Sequence, residues 1–328
     1  HAEPAAGMTV GWGFLGAGWI AQRAMAPAVS AAPNARLVAA ASSDPSRAAL
    51  LGPGAVHRSY DDLVSDPAVD VVYIALANHQ HAEWAIRALQ AGKHVLCEKP
   101  LALDAGQARA MAAAADAADR MLVEAVWTRW HPRFRRLVEV VDEGLLGPLT
   151  GFRSEFTFTR AEDGGYRSQP ALGGGALLDV GGYQAHALIA LASSTDPFVV
   201  EWVERVVGPT GIDVTTRVAA RAGGAVAVRS VSSFELPERQ GLTVTGERAS
   251  AMPLGPQAFT SWREPTSLQV GSRVEHFEAV NAYAVMVENV SAAVDGGAGW
   301  VVPLTESLRA AEILDAVAAS GSGPASSP

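Results

Sequence analysis

Between Met8 and about Glu124, short apolar runs rich in β-branched residues alternate with amphipathic helical stretches, and a glycine-rich turn joins the first run to the first helical stretch. This alternation leaves few folds open. Strands separated by helical crossovers pair in parallel and need helices on both faces of their sheet. The apolar periods predict strands at Thr9–Leu15, Arg36–Ala41, Val69–Leu76, Lys93–Cys97 and Met121–Ala125. They predict helices at Trp19–Ser30, Ser46–Leu51, His81–Gln90 with Gly92 as C-cap, and Asp104–Arg120 with Asp104 as N-cap.

Beyond this stretch the rhythm changes. A helix predicted over Arg133–Glu143 stops at Gly144, and strands then dominate: Thr150–Thr159, Val199–Val207, Asp213–Arg221, Ala225–Phe234, Leu242–Gly246 and Ser267–His276. Phe152, Phe156 and Phe158 alternate with Arg153, Glu155, Thr157 and Thr159, as in a sheet with one apolar and one polar face. Gly173–Leu191 is helical in its later part, and helices at Ala279–Val294 and Leu304–Ala319 follow. The expected class is α/β: an N-terminal Rossmann-type doubly wound parallel sheet over 8–125, then an α+β domain with a mostly antiparallel open sheet over 126–319. Residues 1–7 read as an appended remnant before a natural start at Met8, and 320–328 as a flexible Gly/Ser/Pro tail.

Composition removes several functions. Lys and Arg number 25 against 34 Asp and Glu, a net charge of −9, and no basic cluster offers a footprint for nucleic acid. No apolar run approaches the roughly 20 residues a membrane span needs. The one cysteine, Cys97, excludes an internal disulfide and a cysteine zinc site, and no histidine spacing suits a metal, so no metal and a cytoplasmic location are expected.

The first chemical motif is Gly13-Phe14-Leu15-Gly16-Ala17-Gly18-Trp19-Ile20, a GxxGxG turn between the first strand and first helix. Glycines there let the backbone approach a pyrophosphate at a helix start, although a tight βα turn alone also explains them. The second strand ends at Ser42 and Ser43, not at the carboxylate that commonly accepts a ribose 2′-hydroxyl. These serines with Arg47 suit a 2′-phosphate, and Asp44 reads as a helix cap, so NADP(H) is favoured over NAD(H). Lys99 lies in Glu98-Lys99-Pro100, just past the carboxyl end of a strand, where doubly wound sheets hold ligands.

With Glu98-Lys99-Pro100 the chain resembles the Gfo/Idh/MocA family of NAD(P)-dependent oxidoreductases. The resemblance runs from the GxxGxG turn through Asn78 and His81 to Gly173-Gly174-Gly175-Ala176-Leu177-Leu178-Asp179-Val180-Gly181-Gly182-Tyr183, and covers most of the chain. Tyr183 and Trp127-Thr128-Arg129 look like the branch of glucose-fructose oxidoreductase and dimeric dihydrodiol dehydrogenase; His186 departs from the Asn or Asp of many relatives. It implies cofactor contacts from Gly13, Gly16, Ala17, Gly18, Trp19, Ile20, Ser42, Ser43, Arg47, Asn78, His81, Glu98 and Lys99.

On a helix Asp179, Tyr183 and His186 share one face at i, i+4 and i+7. A free Tyr, with a pKa of about 10, is a poor base at neutral pH, and a nearby ammonium such as Lys99 favours its phenolate. Lys99, Tyr183 and Asp179 are therefore the expected catalytic set. Trp127, Arg129, Phe156 and His186 are expected at the substrate, each with packing as the competing role. The expected activity is hydride transfer between NADP(H) and a sugar or cyclic polyol. A nucleotide-binding sensor, or an enzyme with tightly held NADP, remains open. The expected assembly is a homodimer or homotetramer.

Overall fold

Hydrophobic alternation in the first third of the chain closes into a six-stranded parallel sheet in a computed structural model that describes residues 9–160, 164–192 and 197–321. Residues 1–8 and the tail beyond Gly321 lie outside the described residues, as do the expectations made for them; Ser320 itself donates its hydroxyl to the Ala316 carbonyl at 2.7 Å.

The chain falls into two compact units, the first of 1–101, 109–127 and 281–304, the second of 102–108, 128–280 and 305–328. The first contains β1 (Val10–Leu15), a π-helical turn (Ala21–Met25) continuing into α1 (Ala26–Ala31), β2 (Ala35–Ala41), α2 (Pro45–Ala49), β3 (Ala55–His57), α3 (Tyr60–Val64), β4 (Val71–Ile74), α4 (His81–Gln90) and β5 (His94–Cys97). After α5 (Ala105–Ala118) comes β6 (Leu122–Glu124). The sheet order is β3-β2-β1-β4-β5-β6, the doubly wound arrangement with its switch point between β1 and β4. β1 and β4 are buried along their whole length, because helices cover both faces. β3 and α3 are additions to the sequence expectation; β3 spans three partly or fully exposed residues and lacks an apolar run to announce it.

The second unit holds α6 (Pro132–Asp142), β7 (Leu149–Thr157), α7 (Gly182–Leu191), β8 (Phe198–Val207), β9 (Asp213–Ala222), β10 (Val226–Ser233), β11 (Arg239–Gly246), β12 (Ser250–Leu254), β13 (Thr266–Val270) and β14 (Arg273–Phe277). Their order is β14-β13-β12-β11-β7-β10-β9-β8, antiparallel except for the parallel pair β7–β10. The strand expected over Ser267–His276 is a hairpin, broken where Gly271 takes φ +57°. Phe152 and Phe156 point from β7 into a core shared with Leu177, Val180 and Leu188.

Two helices close the chain, α8 (Ala282–Val294) and α9 (Leu304–Ala319). α8 counts with the first unit, whereas the sequence division placed it after residue 126: its Ser291 hydroxyl accepts the Trp12 indole N–H at 3.0 Å in the buried core.

Candidate active site

The carboxyl edge of the parallel sheet begins with the turn after β1. Gly16 takes φ +95°, and a Cβ there would collide with the Ala75 carbonyl that follows β4, so only glycine lets the two backbones come this close. Its N–H donates to the Ala41 carbonyl at 2.8 Å, tying the turn to the end of β2. Gly18 is different. A Cβ built on it meets nothing within 4 Å, and the helix begins at the next residue, Trp19, which is 68% exposed. An open backbone at a helix start, with no carboxylate among Gly13–Ile20, fits the pyrophosphate of a dinucleotide. Gly13 is set by packing, since Leu63 and Val69 would crowd any Cβ there.

The Ala17 carbonyl accepts from Gln22 Nε2 at 2.8 Å and from Arg47 Nη2 at 3.0 Å, so Arg47 reaches the glycine turn from α2. Ser42 is buried at the β2 tip, and Ser43 is exposed beside it. Asp44 caps α2: its Oδ1 accepts from the Ser46 hydroxyl at 2.6 Å and the Ser46 N–H at 2.9 Å. Those bonds hold its carboxyl below the usual carboxylate range.

Beyond β5, Glu98 Oε1 accepts from the buried Tyr73 hydroxyl at 2.6 Å, and its Oε2 accepts from the Lys99 N–H at 3.3 Å. Burial pushes the Glu98 carboxyl up, against the pull of Tyr73 and Lys99. The Lys99–Pro100 peptide is cis. His81 is fully buried, with Nδ1 2.8 Å from the Pro100 carbonyl and Nε2 3.1 Å from the Leu76 carbonyl. Burial lowers its pKa, and the neutral ring, wedged between the turn that carries Lys99 and the end of β4, donates its single N–H to one of these two carbonyls. Glu124 holds the same turn by accepting the Leu101 N–H at 2.9 Å. Asn78 is buried at the first position of the short helical turn after β4. Trp127 is buried and stacks on Tyr283 at 5.4 Å, which commits its ring to packing where a substrate wall was expected.

In the second unit a π-helical turn, Leu177–Gly181, runs straight into α7. Asp179 Oδ2 accepts from Arg167 Nε at 2.9 Å. Tyr183 is half-buried against Phe156 at 5.8 Å and Phe259 at 6.3 Å, and those two rings stack at 5.6 Å. Asp179 stands in the π-helical turn and Tyr183 four residues later in α7, on one continuous helical run. His186, three residues beyond Tyr183, is 1% exposed, because α7 is packed on nearly every side. Phe156 supports Tyr183 from behind. Arg129 is likewise buried, paired with Glu306 at 2.6 Å and lying over Phe134, so it is no carboxylate fork for a substrate.

Sequence reasoning missed two residues. Gln184 accepts from the Ser154 hydroxyl at 2.7 Å and donates to the Val231 carbonyl and the Ser232 hydroxyl, pinning α7 to the sheet. Arg167 is the other, and its only signal was a cation six residues ahead of Gly173-Gly174-Gly175. Among the described residues no group of His, Cys, Asp and Glu could hold a metal ion, and no helix is long and apolar enough to cross a membrane.

Residues 10–126 match the oxidoreductase family with NAD-binding Rossmann fold, GFO_IDH_MocA, and residues 134–252 match the GFO/IDH/MocA C-terminal domain. The chain is 32% identical over 315 residues to D-xylose 1-dehydrogenase (NADP(+)) 2 of Haloferax volcanii, covering 93% of this chain and 95% of that protein. It is 33% identical over 333 residues to trans-1,2-dihydrobenzene-1,2-diol dehydrogenase of Mus musculus, covering 94% and 96%. Among solved structures, KijD10, a 3-ketoreductase from Actinomadura kijaniata in complex with NADP and TDP-benzene, superposes with a TM-score of 0.84 at 28% identity, covering 94% of this chain and 97% of that one.

Proposed function

Since the chain belongs to the Gfo/Idh/MocA family of oxidoreductases, we propose that it passes hydride between NADP(H) and a carbinol carbon of a sugar or related cyclic polyol. The observation that carries this reading is the Glu98-Lys99-Pro100 turn, clamped by His81, Tyr73 and Glu124 at the carboxyl edge of the same sheet that presents the open Gly18 cradle. The open backbone at Gly18 and the helix start at Trp19 receive the pyrophosphate. Ser42, Ser43 and Arg47 receive the 2′-phosphate, and Asp44 stays engaged as the cap of α2. The bound nicotinamide supplies the hydride acceptor in oxidation and the donor in reduction. Lys99 stabilises negative charge on the carbinol oxygen, Tyr183 exchanges its proton, and Asp179 orients the hydroxyl.

The substrate class rests on two supports. Relatives across most of the chain are named for xylose and for a cyclic trans-diol. Hydroxyl-bonding groups at Lys99, Asp179 and Tyr183 also favour polyols over simple alcohols, since a polar site rejects analogues that leave it unpaired. A screen following nicotinamide absorbance would compare aldoses, cyclitols, trans-diols, simple alcohols and 2-hydroxy acids in both directions. Turnover confined to the last two groups would refute the polyol reading, and bound nucleotide with no turnover at all would point to a sensor. Calorimetry of the two nucleotides tests the cofactor: NADP(H) is expected to bind more tightly, and equal or tighter NAD(H) binding would show that Asp44 reaches the ribose.

A further inference from the structure

Arg167 sits in a short helical turn, Tyr166–Ser168, six residues ahead of the glycine triplet, and the triplet folds back onto it. The Gly175 N–H donates to the Arg167 carbonyl at 3.1 Å, and a Cβ on Gly174 would stand 2.5 Å from that same oxygen. Gly175 itself takes φ +124°. The glycines thus let the backbone before the Asp179 helix close directly onto the Arg167 turn, and only glycine permits it. The side chain then turns back over the Tyr166 ring at 4.8 Å and places Nε 2.9 Å from Asp179 Oδ2.

We propose that Arg167 is the positioning residue of the proton-transfer pair, holding Asp179 as an oriented carboxylate and supplying within the second unit the positive field that makes Tyr183 a competent base. This rests on the hydride-transfer reading given above. Asp179, bonded to Arg167 at 2.9 Å, stands four residues before Tyr183 in one continuous helical run, which brings the guanidinium within electrostatic reach of both; burial works to lower the Arg167 pKa, and Asp179, Tyr166 and Tyr183 together reverse that and raise it. Among the described residues, titratable neighbours of this pair include Tyr166 on the Arg167 turn, Arg160, which donates to the Ser168 hydroxyl of that turn at 2.9 Å, and Asp213 at the start of β9, whose Oδ2 accepts the Leu177 N–H at 2.8 Å and the Thr216 hydroxyl at 2.9 Å. Asp213 is thereby committed to the helix start. Phe156 and Phe259, which pack on Tyr183, carry no charge.

The test separates this role from a structural one. Tyrosinate absorbance is titrated in the unaltered chain, in Tyr183→Phe, in Arg167→Met and in Arg167→Lys. The component lost in Tyr183→Phe is expected to move to higher pH by about one unit or more in Arg167→Met, a tenfold change in ionisation at fixed pH, and by less in Arg167→Lys. The acidic limb of kcat/KM for polyol oxidation, where protonation of the base removes activity, should move to higher pH with it, with kcat falling more than KM rises. A Tyr183 component that stays in place in Arg167→Met overturns the proposal, as does an equal shift in Arg167→Lys. Should Arg167→Met fail to fold by circular dichroism, Arg167→Gln keeps a donor toward Asp179 without the charge and carries the same test. Failure of the unaltered chain to oxidise any polyol would refute the function proposed above, and the titration would still decide the role of Arg167.

Discussion

Gly16 and Gly18 lie two residues apart in one turn, and alanine at each should fail in opposite ways. At Gly18 a Cβ meets nothing within 4 Å and the backbone is outside the left-handed region. The substitution should therefore leave the apo protein as stable as before, or more so by about 0.4–1 kcal/mol, because alanine restricts the unfolded chain. The new methyl group projects into the space assigned to the pyrophosphate, so NADP(H) affinity should fall by at least about tenfold, or about 1.4 kcal/mol. At Gly16 the φ of +95° costs an L-residue about 1–2 kcal/mol. The collision with the Ala75 carbonyl adds about 1–3 kcal/mol of overpacking, so Gly16→Ala should lose roughly 2–5 kcal/mol of stability. Thermal melts of both apo variants, followed by calorimetric titration with NADP(H), read the two quantities separately. Gly18→Ala that binds NADP(H) like the parent would refute the placement of the pyrophosphate, and a destabilised apo Gly18→Ala would refute the open cradle.

Lys99→Met and Tyr183→Phe should fold and bind NADP(H) yet lose about 10²–10⁴-fold in turnover; near-normal turnover in Tyr183→Phe would move proton transfer to Asp179. Burial beside Arg133 drives the His131 pKa down from 6.5 to about 4. Between those values the unfolded chain binds a proton that the folded chain does not, so stability should fall on acidification through that window by up to roughly 3 kcal/mol. His131→Asn keeps an acceptor for the Arg133 N–H that caps α6 and should flatten that loss in pH-dependent urea melts; an unchanged slope would show that other groups cause it. Val199 and Val207 on β8 and Val274 on β14 are exposed on the two edge strands of the second sheet, and association of two or four copies through this sheet is expected. Light scattering that finds a monomer at micromolar concentration would reject it.

Local pattern was enough to read α4 and α9 to the residue, the glycine turn, the Asp44 cap and the Glu98-Lys99-Pro100 turn, because each depends on neighbours a few positions away. Period-2 alternation likewise placed Phe152 and Phe156 on the buried face of β7. Elements without an apolar period were invisible: the exposed β3, and the turn at Gly271 that splits one expected strand into β13 and β14. The roles of individual side chains were decided by the tertiary structure alone. His81 faces two carbonyls, Arg129 meets Glu306 far along the chain, Arg167 meets Asp179, and α8 is tied to β1 by the Trp12–Ser291 hydrogen bond across 279 residues. A side chain's period says which way it points, but whether it meets water, a carbonyl or a counter-charge depends on what distant segment the fold brings there, since burial and electrostatic energies belong to the assembled neighbourhood and not to the residue.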